Sequence, residues 1–398
     1  MPSSVELFAG GGGLALGLQM AGFHHHVLVE FDGKACRTLR INGQNHGVWV
    51  PDAVIDADIR QAHTAISDRV SADIDLLAGG PPCQPFSLGG IHAGEADGRN
   101  MFPAALDTVR LLRPKVVLFE NVPGLLRSSF EPYFNYISDQ LAEPTVLARN
   151  GESWSEHWAR IKRPSRARRS LRYRVGRQVI LAADLGVPQM RRRVFLVGIR
   201  DDLDIQWQPL EMDHSEDALL HAKFGDGSYW QAHSSDPEVK RLLRYGPPTP
   251  TTARARRLGD VQTSDGALQK RWRTVRDALR DPEPLPSPID GRQRGKWSGH
   301  IGIPGARAYP GHTGSDIDLP SKTIKAGVHG VCGGEAMIRF TDGSLRYMTV
   351  RESARIQGFP DWYNFEGPRS TAMRHIGNAV AVPVARAVGE HLRRITGL

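Results

Sequence analysis

The sequence predicts an α/β fold with a parallel sheet, and two observations lead to this prediction. Short, continuous apolar runs alternate with helical stretches, which favours strands buried on both faces of a sheet. The first run passes into a glycine loop and a helix, the layout of a nucleotide-binding βαβ unit. The 398 residues, 40% hydrophobic and 24% charged, suffice for one large and one smaller globular domain.

The predicted elements follow the apolar runs in chain order. Strands are predicted at residues 4–8, 26–31, 74–78, 116–119 and 194–198. Helices are predicted at residues 14–20, 350–357 and 383–394, the last with a proline in its first turn.

Composition divides the chain into three parts. From about residue 205 to 345 the chain is rich in Pro, Gly, Trp and Arg and has little periodicity, which favours a loop-rich domain. We therefore expect domains at 1–204 and 205–345, and a segment at 346–398 that returns to the first domain. A basic stretch, residues 160–177, holds nine Lys or Arg. It is either a phosphate-contacting extension or a solvated insertion.

Charge and cysteine content narrow the class of protein. The net charge of +8 favours a polyanionic partner. Cys36, Cys83 and Cys332 are too few and too widely spaced for a disulfide framework or a metal cage, so we expect no metal and a reducing, cytoplasmic setting. There is no run of about 18 apolar residues. The chain also begins without a secretory signal pattern, so no membrane association is expected.

The glycine loop at residues 10–13 is followed by an acid at the sequence spacing that is typical of nucleoside-binding βαβ units. Glu30 ends the second predicted strand, twenty residues after Gly10. A carboxylate at that position can accept both ribose hydroxyls of an adenosine, and the glycines let a ligand approach the backbone. No Walker lysine follows, which excludes a P-loop. The alternative interpretation is a flexible turn between strand and helix.

Two further strand ends carry side chains that are suited to nucleophilic and acid–base catalysis. In Gly79–Ser87 two prolines fix the backbone before Cys83, which favours a rigid, accessible thiol and a candidate nucleophile. Glu120 ends the next predicted strand, on the same edge of a parallel sheet, and is a candidate general acid. The alternatives are a buried structural cysteine and an exposed strand-end acid.

A third candidate lies before the strand at 194–198. On an extended segment Gln189, Arg191 and Arg193 project from one face, and paired guanidinium groups suit a phosphate or a base carbonyl. The alternative is a solvated charge run.

Taken together and in this order, the segments resemble the cytosine-5 DNA methyltransferase family of the bacterial restriction–modification type. The resemblance rests on Glu6–Gly13, Glu30, Asp58-Ile59, Pro81–Gln84, Glu120–Val122, Gln189–Arg193, Arg351–Pro360 and Ile376–Val380. It implies a Rossmann-like S-adenosylmethionine-dependent methyltransferase sheet in a catalytic and cofactor-binding domain at 1–204. It also implies a smaller, loop-rich target-recognition domain at 205–345 and a hinge and C-terminal segment at 346–398.

The resemblance assigns roles to individual residues. The implied catalytic residues are Cys83, Glu120, Arg191 and Arg193. The implied cofactor contacts are Phe8, Gly10, Gly13, Glu30, Phe31, Asp58, Ile59, Gly80, Pro82, Asn378 and Val380. The implied DNA contacts are Gln84, Ser87 and Gln189. Cys83 would attack carbon 6 of a flipped cytosine, and carbon 5 would take the methyl group of S-adenosylmethionine.

The implied partner is double-stranded DNA. A cognate restriction endonuclease acting on the same sequence is a possible further partner, and the resemblance implies no stable complex with it. A monomer associated with the bacterial nucleoid in the cytoplasm is expected. One alternative is a tRNA cytosine-5 methyltransferase, although the Cys-Phe-Thr tripeptide of those enzymes is absent here. Another is a Rossmann-type nicotinamide-dependent oxidoreductase, which explains Gly10 and Glu30 but leaves Cys83 and Glu120 without a role.

Overall fold

The chain forms two compact units. A computed structural model describes residues 1–70, 73–82, 100–163, 171–246, 249–259, 269–293, 295–310, 312–326 and 336–398. The first unit contains Met1–Ile180, Arg192–Leu210 and Tyr363–Leu398, and the second contains Leu181–Arg191 and Glu211–Trp362. Among the described residues, no helix has both the length and the apolar character that crossing a bilayer requires.

Strands and helices alternate through the described part of the first 142 residues, as the apolar runs predict. The strands are β1 Ser3–Leu7, β2 His24–Glu30, β3 Val54–Asp56, β4 Leu76–Gly79, β5 Val116–Asn121, β6 Tyr173–Leu181, β7 Gln189–Met190, β8 Arg192–Arg200, β9 His214–Ser215, β10 Lys270–Arg271, β11 Ser315–Asp316, β12 Ser321–Lys322, β13 Met337–Arg339 and β14 Leu345–Tyr347. The helices are α1 Gly13–Met20, α2 Gly33–His46, α3 Ile59–Ser67, α4 Phe102–Leu112, α5 Glu131–Ala142, α6 Trp154–Ile161, α7 Glu216–Phe224, α8 Ser228–Ala232, α9 Pro237–Arg244, α10 Ala253–Gly259, α11 Val275–Arg280, α12 Val350–Ile356, α13 Arg369–Asn378 and α14 Val382–Thr396.

The first unit is built on one mostly parallel sheet, which confirms the predicted α/β class. Its strand order is β3-β2-β1-β4-β5-β8-β6. The first five strands in this order, β3, β2, β1, β4 and β5, each pair in parallel with their neighbour. The apolar runs form the core because central strands are covered on both faces, and every residue of β5 is buried. β8 differs from the prediction, because it pairs antiparallel to β5. A buried apolar run looks the same in either direction, so the sequence pattern does not reveal this reversal.

The carboxyl-terminal helices belong to the first unit, and α14 packs closely against α1 at a glycine of α1. A Cβ added to Gly17 would lie 2.6 Å from the Val382 carbonyl oxygen and 2.8 Å from the Arg386 amide nitrogen. Only glycine permits this close backbone approach. The contact holds α14 against the helix that follows the glycine loop.

The second unit has a small aromatic core and a buried charge network. Tyr229, Trp230 and Trp272 are buried together, so these aromatic side chains form core. Beside them, Arg276 pairs with Asp318, with 2.7 Å between Nε and Oδ1, and the Tyr229 hydroxyl donates to the same Oδ1 over 2.6 Å. Such a network is stable in a core because each buried charge has a partner.

Candidate active site

The glycine loop turns sharply between β1 and α1. Phe8, Gly10 and Gly12 all have positive φ angles, of 57°, 53° and 83°. The Gly10 amide donates to Glu30 Oε2 over 2.7 Å. The acid that the spacing singled out therefore contacts the loop directly.

A tyrosine of the carboxyl-terminal segment packs against the glycine loop and donates a hydrogen bond to it. The Tyr363 hydroxyl donates to the Gly11 carbonyl oxygen over 2.9 Å, and burial raises the pKa of this tyrosine. A Cβ on Gly12 would lie 2.2 Å from the same hydroxyl oxygen. Gly12 is therefore needed both for its φ angle and for this packing. No sequence signal pointed to Tyr363, which lies three residues beyond the Arg351–Pro360 motif.

Glu30 is held in place by backbone amides. Besides the Gly10 amide, its Oε1 accepts the amides of Phe31 and Asp32, over 2.9 and 2.7 Å. A carboxylate offers about four acceptor positions, so one remains for a ligand hydroxyl. The neighbouring Phe31 side chain is 74% exposed, which is unusual for phenylalanine and suits an aromatic ligand ring.

The predicted acid of α3 has a protein partner. Asp58 caps the helix by accepting the Arg60 amide over 2.9 Å, and Arg60 Nε donates to the same oxygen over 2.9 Å. The hydrogen bond from the Arg60 side chain is the main cause that lowers the pKa of Asp58. Ile59 is buried beneath it. Asp58 is thus an ionised acceptor at the end of β3.

The carboxyl ends of β4 and β5 meet at one edge of the sheet. Asn121 Nδ2 donates to the Pro81 carbonyl oxygen over 2.8 Å, which ties the two strand ends together. A Cβ on Gly80 would lie 3.2 Å from Glu120 Oε2, so this carboxyl lies against the Gly80-Pro81 turn. Pro82, which follows, is exposed. The predicted nucleophile Cys83 and the predicted DNA contacts Gln84 and Ser87 lie outside the described residues.

Glu120 forms an ion pair with a predicted catalytic arginine. Arg193 Nε lies 2.6 Å from Glu120 Oε1, and the two side chains are 16% and 10% exposed. Arg193 Nη1 also donates to the Arg192 carbonyl oxygen over 2.8 Å. The antiparallel pairing of β5 with β8 brings the two together, although 73 residues separate them along the chain. A hydrogen-bonding carboxyl with a fixed orientation can exchange a proton with a bound base.

Gln189 and Arg191, which were predicted to project from one face together with Arg193, are both buried. Gln189 is fully buried in the second unit, where its amide contacts Gln357 Oε1 and the Ile324 amide, each over 3.0 Å. Arg191 is buried there too and donates to the Ile324 carbonyl oxygen over 3.2 Å. Burial alternates along residues 189–192, because Met190 and Arg192 are exposed between these buried side chains. The assigned roles of Gln189 and Arg191 stay predictions.

The last motif lies at the junction of α13 and α14. Asn378 ends α13 and is exposed, whereas Val380 is buried. One turn earlier, Arg374 forms an ion pair with Asp32, the residue that caps α2. His375 packs against Gly11, whose added Cβ would lie 2.9 Å from His375 Cβ. The carboxyl-terminal segment thus contacts the glycine loop at two points, which sequence analysis did not foresee.

The described residues contain no group of three or more His, Cys, Asp or Glu arranged to hold a metal ion. The first unit contains an acid that is hydrogen-bonded to the glycine loop, Glu30, and an acid that is paired with an arginine, Glu120. Glu120 lies against the turn that leads into Cys83, at the carboxyl edge where ligands of α/β sheets bind.

Comparison with known proteins places this arrangement among DNA methylases. The family model for C-5 cytosine-specific DNA methylase matches residues 3–144 and 165–394. Type II methyltransferase M.NgoMIV of Neisseria gonorrhoeae is 30% identical over 394 residues, covering 98% of this chain and 96% of that protein. Type II methyltransferase M.PspPI of Psychrobacter sp. is 31% identical over 415 residues, covering 99% and 79%. The crystal structure of S. pombe Dnmt2 methyltransferase shares the fold, with a TM-score of 0.55, 16% identity and 99% coverage of both chains.

Proposed function

Because the chain belongs to the C-5 cytosine-specific DNA methylase family and is a DNA (cytosine-5)-methyltransferase, we propose that it methylates a cytosine flipped out of a specific duplex sequence. The observation that carries this proposal is the buried Glu120–Arg193 pair beside the turn that leads into Cys83. The relatives named Type II methyltransferases support a role as the modification enzyme of a restriction–modification system. We place it in the bacterial cytoplasm, acting as a monomer on nucleoid DNA.

The first unit has residues that fit S-adenosylmethionine. Glu30 would hold the ribose hydroxyls with its remaining acceptor capacity, and the exposed Phe31 ring would lie against the adenine. Asp58, an ionised acceptor, would take the adenine amino group. Gly10, Gly13, Gly80 and the Asn378–Val380 junction would approach the methionine end closely. When bound, the cofactor supplies a methyl group on an electrophilic sulfonium.

In the proposed reaction Cys83 is the nucleophile, and Glu120 and Arg193 offset the negative charge that develops on the cytosine ring. The Cys83 thiolate would add to carbon 6 of the cytosine, and the displaced electron pair would make carbon 5 nucleophilic. Glu120 would protonate ring N3 as this charge develops, and Arg193 would orient Glu120 and hold the base carbonyl. After carbon 5 takes the methyl group, its proton would pass to water and the Cys83 thiolate would leave from carbon 6 as the double bond re-forms. The N3 proton would return to Glu120, which restores the aromatic ring and the starting state of the carboxyl. Flipping the base costs a few kcal/mol of stacking and pairing.

Bisulfite sequencing of DNA from a host that expresses the protein tests the proposal directly. We expect 5-methylcytosine at one position of one recurring sequence. The Cys83→Ala variant should leave that sequence unmethylated while still binding the cofactor. Cys36→Ala is the matched control, because Cys36 is a buried thiol on α2, and this variant should methylate normally. Methylation by Cys83→Ala, or no methylation by the wild-type protein, would overturn the assignment.

A further inference from the structure

The chain contains two Asn-Gly dipeptides, Asn42-Gly43 and Asn150-Gly151. In such a dipeptide the backbone nitrogen of the glycine can attack the side-chain carbonyl carbon of the asparagine, because glycine has no Cβ to block the approach. The two reacting groups must be free to move into contact, so the surroundings of each dipeptide decide whether it reacts. The structure gives the two dipeptides opposite surroundings.

The first dipeptide is held inside α2. The Asn42 side chain is fully buried, and its Nδ2 donates to the carbonyl oxygens of Thr38 and Asn364, each over 2.7 Å. Its Oδ1 accepts the Asn364 amide over 2.9 Å. Gly43 lies within α2, where each backbone amide donates to the carbonyl oxygen four residues earlier. Both reacting groups of this dipeptide are therefore fixed by hydrogen bonds.

The second dipeptide forms the centre of an exposed turn. The Glu152 amide donates to the Arg149 carbonyl oxygen over 3.0 Å, and the Arg149 amide donates to Glu152 Oε2 over 2.8 Å, so the two ends of the turn are fixed. Between them, Asn150 and Gly151 are both exposed. Neither the Asn150 side chain nor the Gly151 amide makes a hydrogen bond to the part of the chain that the structure describes.

The turn also leaves room for the reaction. Gly151 has a φ angle of 76°, the conformation that glycine adopts at the third position of a tight turn. A Cβ added to Gly151 would meet no described atom within 4 Å, so its peptide group can rotate towards the Asn150 side chain without displacing a neighbour. The turn lies between residues 3–144 and 165–394, the two ranges that the family model matches, so the family match does not extend to it.

We propose that Asn150 is a modification site, at which the chain itself converts a side-chain amide into a carboxylate. The Gly151 nitrogen loses its proton and bonds to Asn150 Cγ, and the Asn150 side-chain nitrogen leaves as ammonia with that proton. The product is a five-membered succinimide ring. Water then adds to one of the two ring carbonyl carbons, the bond from that carbon to the ring nitrogen breaks, and the nitrogen regains a proton. Residue 150 becomes either aspartate or isoaspartate, and water is the only co-reactant.

The conversion changes the charge of the segment before α6. Each event adds one negative charge to a chain whose net charge is +8, so a more acidic species should accumulate with time. Asn42 should contribute nothing to this species while the protein is folded. The inference is independent of the proposed function, because it requires only the folded chain and water.

Peptide mass spectrometry of the protein in water enriched in heavy oxygen tests the site, because ring opening places an oxygen of that water in the product. The folded, full-length protein is kept at mildly alkaline pH, and the peptides that contain residues 42 and 150 are compared over time. We expect the heavy oxygen to appear at residue 150 at least about tenfold faster than at residue 42. In urea, where α2 is unfolded, both residues should take it up at similar rates, which verifies that the Asn42 peptide can react and be detected.

Asn150→Gln is the matched control, because it keeps the amide and lengthens the side chain by one carbon, so that a five-membered ring cannot form. Its peptide should take up no heavy oxygen, and ion-exchange chromatography should show no growth of the acidic species. No heavy oxygen at residue 150 of the folded wild-type protein, or equal rates at residues 42 and 150, would overturn the proposal. Methylation of DNA is measured separately, so a failure of the proposed function leaves this result unaffected.

Discussion

Replacing Gly12 by alanine probes how the glycine loop is built, because the loop leaves no room for a side chain there. The new Cβ would lie 2.2 Å from the Tyr363 hydroxyl oxygen and 2.9 Å from Leu39 Cδ2. The φ angle of 83° also disfavours any residue with a Cβ. The left-handed conformation costs about 1–2 kcal/mol and the overpacking about 1–3 kcal/mol, so the free energy of unfolding should fall by about 2–5 kcal/mol.

Tyr363→Phe separates the steric cost from the conformational cost. Without the hydroxyl, the nearest ring atom to the alanine Cβ is Tyr363 Cζ, at 3.4 Å, an ordinary contact. The single change should itself cost about 1–3 kcal/mol, because the buried Gly11 carbonyl oxygen loses its donor. In that background Gly12→Ala should therefore cost about 1–2 kcal/mol less than in the wild-type protein.

Urea unfolding of the four proteins in this double-mutant cycle gives the coupling energy, and calorimetry gives their affinity for S-adenosylmethionine. We expect coupling of about 1–2 kcal/mol and weaker cofactor binding by Gly12→Ala, since the displaced loop carries Gly10. Costs that add to within about 0.5 kcal/mol would refute the packing argument, because they would mean that Tyr363 does not limit the space at Gly12.

Three other variants have clear expected outcomes. Glu30→Ala should weaken S-adenosylmethionine binding by about 1.5–3 kcal/mol, measured by calorimetry, and an unchanged affinity would contradict the ribose role. Glu120→Gln should lower the single-turnover rate about 100- to 10,000-fold with cofactor affinity intact, and a normal rate would remove the acid role. Burial lowers the pKa of His25 from 6.5 to about 4 in the folded protein. As the pH falls from 6.5 to about 4, His25 therefore binds a proton in the unfolded chain but not in the folded protein. Acidification should therefore cost up to about 3 kcal/mol of stability through His25. His25→Gln should flatten this loss in urea unfolding at several pH values, and an identical pH dependence would contradict it.

The sequence predicted most of what local patterns determine. The spacing of Gly10 and Glu30 identified a pair that the structure joins by a hydrogen bond, and the apolar runs gave β1, β2, β4 and β5 to within a few residues. Both signals are local, because strand, turn and helix propensities act over a few residues. The α/β class follows from these local signals, whereas the family was identified from the resemblance of several motifs in order.

The features that the sequence did not reveal depend on pairing between distant segments. Gln189 and Arg191 are buried because β7 pairs with β12, more than 130 residues further along the chain. The Glu120–Arg193 pair needs β8 to run antiparallel to β5, which a buried apolar run does not disclose. Tyr363 closes the glycine loop from the far end of the chain. Such contacts are set by tertiary packing rather than by local preference.

A covalent trap on DNA tests the central claim, that Cys83 bonds reversibly to carbon 6 of the target cytosine. A duplex with 5-fluorocytosine at the target position cannot lose a carbon-5 proton, so the reaction should stop at the adduct. With S-adenosylmethionine present, we predict a one-to-one protein–DNA complex that survives denaturing electrophoresis, with the DNA attached at Cys83 by peptide mass spectrometry. Cys36→Ala should form the complex and Cys83→Ala should not. A complex formed by Cys83→Ala, or none formed by wild-type protein that methylates ordinary DNA, would contradict the account.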